Sequence, residues 1–99
     1  MGKRLTAQQI MSHYEPGDWN ARTETKEEFW DTKLKDAKTT KVSEDKTLFE
    51  DIAERGQQKP ILIGSRGMGF SSILDGHHRL AVLHHINPTQ FVKYRSVRR

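Results

Sequence analysis

Ser71-Ser-Ile-Leu74 has the apolar character of a short strand, and a helical pattern opens at His77 with only Asp75 and Gly76 between them. A strand that passes into a helix through two residues commits the sequence to mixed α and β structure. It also sets a helix N-terminus at a strand end. The amides of a first helical turn have no intrahelical acceptor and carry partial positive charge, so such an end attracts anions. His78 and Arg79 add side-chain donors there, and an arginine can hold a phosphate through two parallel bonds. The decapeptide Leu74 to Leu83 is therefore read first as a phosphate-binding junction, with Gly76, His78 and Arg79 as its donors.

The elements around this junction follow from caps and periodicity. Thr6…Gln9, Thr25…Glu28 and Thr47…Glu50 each have capping-box spacing, a hydroxyl followed three residues later by Glu or Gln. Apolar residues at helical spacing follow each box. They predict helices over about 6–14, about 25–38 and from Thr47 to Gly56, the last closed by a glycine suited to a left-handed position. Pro60 to Gly64 and Phe70 to Leu74 read as two strands of a hairpin, turned by Ser65 to Gly69. The helix from His77 ends near Ile86, where Asn87-Pro88 stops it. Phe91 to Ser96 reads as a final strand. The predicted order is α-α-α-β-β-α-β, an α+β fold with a small mixed sheet packed by helices. The chain reads as one domain over 1–99, with a helical N-terminal extension (1–46), a core (47–96) and a basic tail (97–99).

Composition narrows the function. Among 99 residues, 33% are hydrophobic and 30% charged, so the core is small. There is no cysteine, which excludes disulfides, thiolate catalysis and cysteine-based zinc sites and agrees with a cytoplasmic setting. No apolar run approaches the length of a membrane span, and the N-terminus lacks the apolar stretch of a signal peptide. Charge is divided unevenly. Residues 1–55 carry 10 Lys and Arg against 12 Asp and Glu, whereas residues 56–99 carry 7 against the single acid Asp75. A basic second half fits a polyanionic partner, with Arg66, Lys93, Arg95, Arg98 and Arg99 as candidate contacts to a nucleic-acid backbone.

Each chemical reading has a plainer competitor. Asp75 fits an N-cap as well as a catalytic acid or metal ligand. His77 is the best general-base candidate for a metal-dependent nuclease or a phosphotransferase, with Asp75 as its orienter. His84-His85 repeats the His77-His78 doublet about 10 Å further along the axis at 1.5 Å per residue. Zinc holds its nitrogen ligands at about 2 Å, so no helix-borne metal site is expected. Gly64 to Gly69 lacks the Gly-Lys-Ser/Thr ending of a P-loop and reads as a turn. Phe29 and Trp30 read as core, while Trp19 is open between core and base stacking.

Three segments together resemble the ParB/sulfiredoxin superfamily across residues 48–96. They are Ile52-Ala-Glu-Arg-Gly-Gln-Gln-Lys-Pro-Ile61, the strand Phe70 to Leu74, and Asp75-Gly76-His77-His78-Arg79. The last is similar to the family signature, which reads Gly-x-x-Arg in ParB proteins, Gly-Cys-His-Arg in sulfiredoxins and Asp-Gly-His-x-Arg in free-serine kinases of the same fold. Trp19 and Phe29-Trp30 resemble the front end of small ParB-like proteins of bacteriophages. The resemblance implies a phosphate cradle of Gly76, His78 and Arg79, a nucleotide such as CTP or ATP with Mg²⁺, and work on or beside DNA in the host cytoplasm. Sulfiredoxin chemistry does not carry over, because its cysteine falls on His77. The acidic-Asn-x-x-Arg helix of CTP-binding members has no counterpart in the sequence. An accessory role against a host protein, with a vestigial anion site, is the remaining reading.

Overall fold

A computed structural model describes residues 4–65 and 71–97. All three capping boxes form. Gln9 N–H donates to Thr6 Oγ1 while Thr6 N–H donates to Gln9 Oε1, and the Thr25–Glu28 and Thr47–Glu50 pairs repeat the exchange at 2.9 to 3.2 Å. Each box satisfies amides that the helix leaves unpaired. The bonds from Thr47 also hold the Glu50 carboxyl below its ordinary 4.5. These caps open α1 (Ala7–His13), α2 (Lys26–Thr39) and α3 (Leu48–Arg55), and Gly56 ends α3 at φ +75°.

The strands number more than the sequence predicts. β1 (Leu5–Thr6) precedes α1 and β2 (Glu15–Pro16) follows it. β3 (Ile61–Ser65) and β4 (Ser71–Asp75) are the expected antiparallel pair, and α4 (His77–Ile86) follows. The expected C-terminal strand is divided into β5 (Phe91–Val92) and β6 (Tyr94–Val97). The order is thus β-α-β-α-α-β-β-α-β-β rather than α-α-α-β-β-α-β. Two-residue strands are too short to alternate, so no periodicity betrays them. The division at Lys93 has a specific cause. Gln57, in the α3–β3 connection, accepts from Lys93 N–H and donates to Lys93 C=O, both at 2.7 Å. That clamp turns the chain from one sheet to the other.

β5 pairs antiparallel with β1. The larger sheet has the order β2-β4-β3-β6, with β2 parallel to β4, β4 antiparallel to β3, and β3 parallel to β6. The fold is therefore α+β with a mixed sheet. Pro16 lies on an edge strand, where its missing N–H breaks no ladder. One cluster of buried side chains joins Ala7, Ile10 and Ala37 of the first half to Ile61, Ile73 and Leu80 of the second. Leu80 and Val82 of α4 are fully buried, each contributing about 1.5–3 kcal/mol. Among the described residues, no helix is long and apolar enough to cross a membrane. The predicted turn over 65–69 and the contact residues Arg66, Arg98 and Arg99 fall wholly or mainly outside the described residues.

Replacing Thr25 by Ala removes the acceptor for Glu28 N–H at the start of α2. It is expected to cost about 1 kcal/mol, read as a lower urea midpoint with unchanged slope.

Candidate functional site

Gly76 shapes the junction. It is the N-cap of α4 and sits in the left-handed region at φ +96°, ψ 19°. The conformation favours glycine, and a β-carbon there would also lie 2.8 Å from Ile61 Cδ1, which would have to shift. This corrects the reading of Asp75 as N-cap. Asp75 closes β4 opposite Leu62, and the positive-φ turn into the helix falls to the next residue. With glycine at that position, α4 has no side-chain cap, unlike the other three helices. Its first internal bond runs from Leu80 N–H to Gly76 C=O at 2.9 Å. The amides of His77, His78 and Arg79 thus lack an intrahelical acceptor.

A cleft of about 270 Å³ opens over this helix start. Arg79 is half-buried in its wall, with Nη1 3.5 Å from the position a Gly76 β-carbon would take. The guanidinium is folded back across the helix N-terminus. Among the described residues it has no hydrogen bond and no ion pair. His78 leans toward α2, its Nε2 3.5 Å from Asp36 Oδ2. Lys33 of α2 joins the lining with its Nζ 5.1 Å from the Phe29 ring centre, and Asp18 joins from the β2–α2 connection. Asp75 is exposed at the rim. Two cations face two carboxylates, so the pull on an anion comes from directed amides and Arg79 more than from net charge. Sequence reasoning found Gly76, His78 and Arg79 but missed Lys33 and Asp18. The packing of α2 on α4 brings Lys33 to the site, and the pairing of β2 with β4 followed by the bonds of Gly17 to Ile73 and His77 brings Asp18.

His77 occupies a different environment. Its residue is 5% exposed, packed edge-on against Phe29 (5.5 Å between ring centres) and tilted on Trp30 (6.0 Å). Gly17 N–H donates to its Nε2 at 3.2 Å, while Nδ1 lies 3.7 Å from Asp18 Oδ2. An Nε2 that accepts assigns the proton of the neutral ring to Nδ1. Burial lowers the imidazole pKa from 6.5, opposed by the Asp18 carboxylate. The lone pair a general base would use is therefore committed to Gly17. His77 fastens the β2–α2 connection to the start of α4. Phe29 is buried as expected and Trp30 half-buried. Trp19 is half-buried, donating from Nε1 to Glu24 C=O at 3.0 Å with the Lys26 ammonium 5.2 Å from its ring centre.

The remaining candidates lie elsewhere. Lys93 and Arg95 line a separate groove on β5 and β6 together with Arg4 and Phe91. His84 and His85, near the far end of α4, border an apolar groove of about 400 Å³ with Met11, Trp30 and Leu34. Burial lowers the His84 pKa from 6.5 as well. Among the described residues, no cluster of three or more His, Asp or Glu is placed to hold a metal ion. Comparison with known proteins returns no family model, no curated protein and no solved structure that matches this chain.

A histidine with a depressed folded pKa binds fewer protons in the folded than in the unfolded state between the two values. Its contribution is complete above the unfolded pKa and is lost as pH falls through the folded one. Stability is expected to decline below about pH 6.5. His77→Gln, which still offers an oxygen to Gly17, should flatten part of that decline in urea midpoints taken between about pH 7.5 and about pH 5.5. An identical slope in the variant would separate His77 from the effect.

Proposed function

We propose that this chain is a phosphate-binding module of ParB/sulfiredoxin type that works on or beside nucleic acid in the cytoplasm. A phosphoryl group sits at the start of α4, held by the amides of His77 to Arg79, by the Arg79 guanidinium and by His78. One observation supports this above the others. A ten-residue helix begins without a side-chain cap beneath an arginine that has no partner among the described residues, and a cleft opens over both. Amides and guanidinium are donors only, so the group they recognise is an acceptor with several oxygens.

The size of the cleft refines the ligand. About 270 Å³ falls just below the range of about 300–1,000 Å³ that encloses a whole drug-sized ligand. It takes the phosphoryl end of a nucleotide such as CTP or ATP and leaves the base outside. Asp18 and Asp75 at the same cleft fit a Mg²⁺ ion carried in with the phosphates, since that ion takes one or two carboxylates and keeps several waters. Binding is favoured over hydrolysis because the acceptor nitrogen of His77 is already engaged. Lys93, between β5 and β6, and Arg95, on β6, lie exposed beyond α4, where they meet a nucleic-acid backbone.

Inorganic phosphate at about ten times its dissociation constant should stabilise the chain by about 1.4 kcal/mol. For a domain of this size that raises Tm by about 6 °C or more. Chloride at matched ionic strength should not reproduce the shift, and Arg79→Ala should lose most of it. A shift equal in chloride, or equal in Arg79→Ala, would remove the anion site. Adding CTP or ATP, with and without Mg²⁺, then tells which phosphates the cleft prefers.

A further inference from the structure

Away from the cleft, β5 and β6 form the floor of a groove of about 740 Å³ lined by Arg4, Phe91, Lys93, Tyr94, Arg95 and Ser96. Phe91 is 60% exposed, more than Val42 or Ile86, the other exposed large hydrophobic side chains among the described residues. The Arg4 guanidinium lies 5.6 Å from its ring centre. Lys93 and Arg95 are exposed, and no acid lines the groove among the described residues. Two bonds from Gln57 and one from Ile61 N–H fix the Lys93 backbone. Parallel pairing with Ile61 and Leu62 fixes Tyr94 and Arg95. The surface is thus held in shape without a ligand.

We infer that this groove binds single-stranded nucleic acid, with a base stacked at the Phe91–Arg4 ledge and the sugar-phosphate backbone running along Lys93 and Arg95. The pairing of functions decides the occupant. Three cations call for a polyanion, but cations alone serve a duplex or an acidic peptide equally well. An exposed ring flanked by a guanidinium serves a ligand that offers a flat π-face as well as negative charge. A duplex hides its base faces in the stack, and an acidic peptide has none; an unpaired strand offers both. The surrounding half of the sequence, residues 56–99, carries seven basic residues against one acid, so long-range attraction has the right sign. Position and chemistry separate this groove from the cleft, which takes isolated phosphates. The inference rests on the nucleic-acid half of the function proposed above and not on the phosphate cleft.

Fluorescence anisotropy of a labelled oligo-dT of about 12 nucleotides, beside a duplex of the same length, tests it at low salt. The single strand should bind more tightly than the duplex, with affinity falling as salt rises. Phe91→Ala should weaken it about tenfold and Phe91→Trp should restore it. Because Phe91 lies on the surface, its truncation spares the core, and an unchanged Tm of the variant checks that. Charge reversal by Lys93→Glu with Arg95→Glu should abolish binding. Equal or tighter duplex binding, binding indifferent to Phe91→Ala, equal competition by polyglutamate, or no binding at about 50 mM salt would each overturn the inference. Phosphate-dependent Tm reads the cleft and anisotropy reads the groove, so the two proposals fail separately.

Discussion

Gly76 packed against Ile61 is the contact around which the rest is arranged. β4 passes directly into α4 through a positive φ at Gly76, close beside Ile61 of β3, where a β-carbon would press on the Ile61 side chain. That close approach seats α4 against the core, so Leu80, Val82 and Leu83 join the cluster that contains Ile61 and Ile73. The same approach aims the open end of the helix at the cleft. Stability and the candidate site therefore depend on one backbone geometry. With glycine at this position, the first-turn amides of α4 are left without a side-chain cap.

His77 ties the two halves of the chain at that point. A buried imidazole needs partners, and Gly17 and Asp18 provide them from sixty residues away. Its ring packs against both Phe29 and Trp30, themselves edge-to-face on α2, the helix that also brings Lys33 to the cleft. The lining of the site is thus assembled by a histidine that the site does not consume. The price of that arrangement is acid sensitivity, because protonating His77 breaks the bond to Gly17 and charges a buried ring.

Local signals were readable and distant ones were not. The three Thr boxes marked their helices to within a residue or two, since a cap is written in four consecutive positions. α4 was placed at His77 to Ile86 by Asp-Gly before it and Asn87-Pro88 after it, although its buried run Leu80 to Leu83 has little amphipathic pattern. β1 and β2 were invisible because their partners, Val92 and Ile73, lie far along the chain and each strand has only two residues. The break at Lys93 was invisible because it comes from Gln57, a residue with no marked preference for such a role. At the site, Gly76, His78 and Arg79 were legible as a consecutive motif. Asp18 and Lys33 were not, because tertiary packing alone delivers them. His77 was legible as part of the motif, but its contacts with Gly17 and Asp18 come from a distant loop and could not be read locally.

The claim at the centre of this account is that the first-turn amides of α4 receive an oxyanion. An ¹H–¹⁵N correlation spectrum recorded through a phosphate titration observes those amides one by one. The account predicts that the amide signals of His77, His78 and Arg79, and the Arg79 side-chain NH, move together along one saturating curve, while those of α1 and α3 stay still. Signals at residues 77–79 that do not move, or shifts spread evenly over the basic surface, would contradict it.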